Sequence, residues 1–203
     1  MGIKGILFDF DGTLTVPGAI NFLEIKASLG CPPEVPILEF IESLDNNEQQ
    51  KAYSLLDRHE EKAARISFPA QDAESVIREL KEKDLPLGII TRNSLNSVLI
   101  SLDNFDHVQA EDFTIILTRE DTIPKPDPDG VVIAAHKMGI VPEDLLLVGD
   151  FSLDIMAGHA AGAKTALIVY DTTRIIPSHP EPDYTIHHLR ELISLISPLT
   201  PIP

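Results

Sequence analysis

The chain has 203 residues, 43% hydrophobic and 24% charged, and its 16 basic against 32 acidic side chains give a net charge of −16. Length and composition suit one globular domain with an insertion, or two small lobes, and exclude disorder, collagen and coiled coil. The acidic balance excludes a general nucleic-acid or anionic-membrane binder, and an anionic substrate needs a local positive site against the field of the whole molecule.

Cys31 is the only cysteine, so no intramolecular disulfide can form and a reducing, cytoplasmic setting fits. The side chain reads as a small buried hydrophobe. The opening residues lead into an apolar run that stops at Asp9, without the cleavage site of a secretory signal. No run reaches the ~18 apolar residues of a membrane span.

In chain order, Ile3–Phe8 reads as a buried strand closed by the turn Asp-Phe-Asp-Gly at 9–12. Val16-Pro17-Gly18 breaks the pattern, and helical periodicity follows at about 19–29, 36–44 and 47–65. Asp45 and Glu48 form a capping-box-like start to the third helix. From Ala70 helices and strands alternate. A helix at about 70–83 precedes the strand Leu87–Ile90, and one at about 95–103 precedes a weaker strand near 113–117. Asp127 can cap a helix with Pro128 at its first position, ending at Gly139. Leu145–Val148 is a strand, a helix at about 153–161 stops at Gly162, and Thr165–Val169 is the next strand. A helix at about 187–196 precedes a loose tail, Pro198–Pro203.

Alternating strands and helices imply a parallel sheet covered on both faces, with the ligand site beyond the carboxyl ends of the strands. Asp9 and Asp11 follow the first strand, Thr91 the second, and Asp150 the strand Leu145–Val148. Three strands thus deliver polar groups to one edge.

The stretch Asp9-Phe10-Asp11-Gly12-Thr13-Leu14-Thr15 is the most specific. A chance match to its pattern is on the order of 10⁻⁴. Two crowded carboxylates at a strand end call for a divalent cation, a raised pKa, or both. A carboxylate can also act as a nucleophile toward phosphorus.

Four segments in order, DFDGT at 9–13, ITRN at 90–93, Lys125 in KPDP at 125–128 and GDFSLD at 149–154, resemble the haloacid dehalogenase superfamily. The likeness is to its Mg²⁺-dependent phosphatases with a small helical cap, phosphoglycolate phosphatase-like. It implies a Rossmann-like core at 1–15 and 70–203, and a helical cap at 16–69 inserted after the first strand. It implies that Asp9 is the nucleophile that becomes an aspartyl-phosphate, and that Asp11 is the general acid and then base. The amides of Phe10 and Asp11 would face the phosphoryl oxygens. Thr91, with the amides of Arg92 and Asn93, would bind the phosphate, and Lys125 would neutralise Asp9 and the phosphoryl group. Mg²⁺ would be held by Asp9, Asp150 and the backbone carbonyl of Asp11, and by Asp154 directly or through water. An oxygen-only ligand set suits that ion. The presence of Asp11 favours phosphate esters over the dehalogenating and phosphonate-cleaving members, which lack it.

The partner implied is a small phosphorylated metabolite, with no nucleic acid or membrane, and the chain is a monomer or homodimer. A phosphosugar mutase of the same superfamily shares every core residue. A phospho-acceptor signalling domain and an idle binding module are the readings from other classes. The Arg92 side chain either reaches the substrate or the cap, or is solvent-facing or salt-bridged, and Asn93 either contacts substrate or caps a helix. Arg58, Lys62 and Arg65 share one helix face. That row either greets a second anion on the substrate or forms a solvated face.

Overall fold

The computed structural model describes residues 2–170 and 180–196. Six strands form one parallel sheet: β1 (Gly5–Phe8), β2 (Leu87–Ile90), β3 (Ile115–Leu117), β4 (Leu145–Gly149), β5 (Lys164–Ile168) and β6 (Tyr184–Ile186). Their order across the sheet is β3-β2-β1-β4-β5-β6. β1, β2 and β4 are buried at every position, which is why they read as apolar runs instead of alternating patterns.

One face of the sheet is covered by α4 (Ala73–Glu82), α5 (Leu95–Leu102) and α8 (Glu191–Ile196), whose Ile77, Leu80, Val98 and Leu192 join the larger core cluster with Phe8 and Ile89. The opposite face is covered by α6 (Asp129–Lys137) and α7 (Ser152–Ala161), through Val131, Ala134 and Ala157 packed on Leu7 and Leu147. The small residues of α7 serve this closeness: a Cβ on Gly158 would lie 2.4 Å from Thr165 Cγ2.

Between β1 and α4 lie α1 (Phe22–Leu29), α2 (Ile37–Glu42) and α3 (Asn46–Ala64). They bury a separate cluster of Ile25, Ile37, Leu38, Ile41, Ala52 and Leu56. The expected start of α3 is seen, with Asp45 accepting from the amides of Asn47 and Glu48 at 3.0 and 2.9 Å. The chain leaves the sheet at Thr15 and returns at Pro69, and these two residues pair antiparallel. Cys31 is buried, its thiol 3.4 Å from the Val35 carbonyl.

Several boundaries differ from the sequence reading. The strand expected near 113–117 is only three residues, because Ala110–Asp112 form a tight helical turn ahead of it. The helix expected at 187–196 starts at Glu191, whose Oε1 accepts from the amides of His187 and His188 at 2.8 and 3.0 Å. α6 starts two residues after Asp127, which accepts from the Asp129 amide at 2.9 Å. β6 went unread, a three-residue strand after a Pro-rich stretch. The tail Pro198–Pro203 lies outside the described residues. Among those residues no helix is long and apolar enough to cross a membrane.

Candidate active site

The carboxyl edge of the sheet gathers the residues picked out from the sequence. Asp9 leaves β1 with its amide bonded to the Val148 carbonyl of β4 at 2.8 Å. The turn that follows is tight: the Phe10 carbonyl accepts from the amides of Leu14 and Thr15 at 2.9 and 3.1 Å, while the Phe10 side chain is fully buried. Gly12 has φ +80°, and a Cβ there would lie 2.8 Å from Asp150 Oδ2. Only glycine suits both demands. A second glycine answers to the same cluster, since a Cβ on Gly149 would lie 2.2 Å from Asp154 Cγ.

Asp9, Asp150 and Asp154 each offer a carboxylate oxygen within 4.8 Å of the others, a group that could hold a metal ion. Lys125 is 3% exposed and donates to Asp9 Oδ1 at 2.5 Å, Asp154 Oδ1 at 2.6 Å and the Ile90 carbonyl at 3.1 Å. Asp154 is further fixed by the Phe151 amide, which donates to its second oxygen at 3.0 Å.

Burial pushes the Asp9 carboxyl well above the ordinary carboxylate range, and Asp154 and Asp150 add to the rise against the opposing pull of Lys125. For Lys125 burial works against the charge, but Asp154 and Asp9 outweigh it and hold the ammonium above its usual range. Burial, followed by the Glu60 carboxylate, pushes Asp11 up to about 7.

The Asp11 carboxylate accepts from the Asn93 side-chain amide. Thr91 is buried at the end of β2, and its hydroxyl accepts from the Asn93 amide at 3.2 Å. The Arg92 side chain is salt-bridged, donating to the Lys125 carbonyl and to Glu39 of α2, the latter at 2.6 Å. Arg58, Lys62 and Arg65 are all exposed, on the side of α3 opposite the buried Glu60, as about 3.6 residues per turn requires. Here they form the solvated face of the two readings.

Sequence reasoning missed a second charged group. Arg119, after β3, donates through Nη1 to both oxygens of Glu60 at 2.8 Å and through Nη2 to Asp57 at 2.5 Å. The Ser94 amide donates to Glu60 at 3.1 Å, and Arg119 Nη1 reaches the Arg92 carbonyl at 3.3 Å. Tyr170 was also missed, and its hydroxyl supports the first turn by donating to the Thr13 carbonyl at 2.9 Å. An apolar run leading to a lone Tyr or Arg carries no signal of such contacts.

Residues 6–168 match the haloacid dehalogenase-like hydrolase family. A hydrolase of Saccharomyces cerevisiae is 30% identical, over 96% of this chain and 91% of its own. A haloacid dehalogenase-like hydrolase domain-containing protein of Arabidopsis thaliana is 32% identical, over 96% and 84%. The N-acetylmuramic acid 6-phosphate phosphatase of Pseudomonas aeruginosa is 28% identical, over 97% and 96%. Among solved structures, the Rhodobacter sphaeroides protein CbbY, crystallised with xylulose-1,5-bisphosphate, has a TM-score of 0.71 at 20% identity, covering 97% of this chain and 100% of that one. With the carboxyl-edge Asp, Thr and Lys on a parallel sheet and a family match across most of the sequence, this chain belongs to the haloacid dehalogenase-like hydrolases.

Proposed function

We propose that the protein is a Mg²⁺-dependent phosphomonoester hydrolase acting on a small phosphorylated metabolite. The observation that carries the reading is the convergence of Asp9, Asp150 and Asp154 around one point, with the Lys125 ammonium bonded to two of them. Phosphatases among the relatives support the same class. Residues 16–69 serve as the cap, and residues 1–15 and 70–203 as the catalytic core.

In this reading Asp9 attacks phosphorus, the bond to the alcohol oxygen breaks, and Asp11 gives that oxygen its proton. A carboxyl that titrates near 7 populates both its protonated and its ionised form at neutral pH, as an acid that then serves as base requires. Asp11, now ionised, takes a proton from water, whose oxygen attacks the aspartyl-phosphate and frees Asp9. Lys125 offsets the charge on Asp9, while Thr91 and the amides of Phe10, Asp11, Arg92 and Asn93 bind the phosphoryl oxygens. The donor set fits a hard divalent ion, being all oxygen: Asp9, Asp150, Asp154 and the Asp11 backbone carbonyl would hold Mg²⁺. When bound, it supplies charge neutralisation between the carboxylates and a phosphate dianion.

Phosphate release from p-nitrophenyl phosphate, with Asp9→Asn as the inactive control, tests the reading. Turnover equal in the variant and the parent protein would overturn it.

A further inference from the structure

Among the described residues, the seam between the α1–α3 insertion and the core holds two guanidinium groups, and carboxylates of the insertion occupy both. Arg92 is shared between Glu39 of α2 and the Lys125 carbonyl. Arg119 is shared between Glu60 and Asp57 of α3, its side chain 5% exposed and that of Glu60 4%. Withdrawing Arg119 toward a ligand would strand Glu60 as a buried, unpaired charge.

Among the described residues a third cation at this edge is occupied as well. An ammonium has three donors. Those of Lys125 meet Asp9, Asp154 and the Ile90 carbonyl.

The alcohol part of a substrate must extend from Asp11, which protonates its oxygen. Around it stand the Asn93 amide that binds Asp11, and the Glu60 carboxylate whose field Asp11 feels. The Glu39 that pairs with Arg92 also lines, together with Glu42, Asp127 and five apolar side chains, a cleft of about 440 Å³. A carboxylate or second phosphate there would meet charges of its own sign, with both arginines already paired. Hydroxyl groups would find acceptors.

From this we infer that the substrate is a phosphate monoester of an uncharged, hydroxyl-bearing alcohol, and that the enzyme discriminates against esters carrying a second anion. The inference rests on the phosphomonoesterase reading above.

Matched esters test it. Phosphate release is measured for 2-hydroxyethyl phosphate against phosphoglycolate, and for glucose 6-phosphate against 6-phosphogluconate, with p-nitrophenyl phosphate as the activity control. The uncharged member of each pair should have the higher kcat/KM, by at least about tenfold. Equal or better turnover of either anionic member would overturn the inference alone. No turnover of any ester, p-nitrophenyl phosphate included, would overturn the phosphatase reading and the inference with it. Glu39→Gln releases Arg92, so it should raise phosphoglycolate relative to 2-hydroxyethyl phosphate by roughly threefold or more. An unchanged ratio would overturn the inference that paired arginines set this discrimination.

Discussion

Glu60 of α3 and Arg119 of the loop after β3 lie 59 positions apart in sequence, yet both Glu60 oxygens sit 2.8 Å from Arg119 Nη1. Burial pushes the Glu60 carboxyl up, and Arg119 opposes that rise. The pair joins the inserted helices to the loop that carries Thr91 and Asn93, because Glu60 also accepts from the Ser94 amide.

Breaking this pair from one side leaves the other charge buried. Arg119→Ala should cost about 3–5 kcal/mol. The double variant Arg119→Met with Glu60→Leu should recover most of that loss. Urea unfolding of the three proteins checks it, and an Arg119→Ala midpoint equal to the parent's would contradict the assignment.

Metal dependence is expected of the three converging carboxylates. Turnover of p-nitrophenyl phosphate should vanish with a chelator and return with Mg²⁺ or Mn²⁺. Mg²⁺ at about a hundred times its Kd should also stabilise the fold by about 2.7 kcal/mol. Thermal melts with and without the ion give a reading independent of catalysis.

The two aspartates of the first turn separate by leaving group. Asp9→Asn should reduce every substrate to background and trap no phosphoenzyme. Asp11→Asn should lose about 10²–10⁴-fold with an alkyl phosphate such as 2-hydroxyethyl phosphate. With an aryl phosphate its first step should suffer less, and phosphoenzyme should accumulate for want of the base. Phosphoenzyme trapped on Asp9→Asn would remove Asp9 from the nucleophile's role.

The raised Asp11 pKa sets a sign for stability in metal-free protein. Asp11 titrates at about 7 in the fold and at the ordinary 3.8 when unfolded. Between those values the unfolded chain binds fewer protons, so stability should fall as pH rises from about 4 to 7. The half-buried side chain makes this a change on the order of 1–2 kcal/mol. Asp11→Asn should flatten the slope in chelator-treated samples, and an unchanged slope would refute the link.

The basic row on α3 points away from Glu60. Replacing Arg58, Lys62 and Arg65 together by Ala should leave the ratio of rates across a phosphate-ester panel within about twofold. A redirected profile would bring the row back to the substrate.

Much of the site was legible because its chemistry is written in short, contiguous segments. Asp9 and Asp11 sit two apart on one turn, and Gly12 and Gly149 are fixed by contact with Asp150 and Asp154. The strands β1, β2 and β4 announce themselves as apolar runs because both their faces are covered. What stayed hidden depends on partners distant in sequence. Arg119 looks like any charged loop residue until α3 brings Glu60 and Asp57 to it. Arg92 could be read two ways because its partners, Glu39 and the Lys125 carbonyl, are separated from it by 53 and 33 positions. β6 is short, with a half-buried Tyr184 and an exposed Thr185, so its pattern is too weak to separate from a loop.

The sheet order has a consequence for synthesis. β1 is made early but lies in the middle of the sheet, paired on one side with β4, where Gly5 meets Leu145. At roughly 5–20 residues per second, several seconds separate the appearance of the two strands on a ribosome. For that interval Asp9 has neither Asp150 nor Asp154 beside it, and the apolar edge of β1 that will receive β4 is open. A nascent chain halted before Leu145 therefore carries the Asp9–Gly12 turn without two of the three carboxylates in the cluster that could hold a metal.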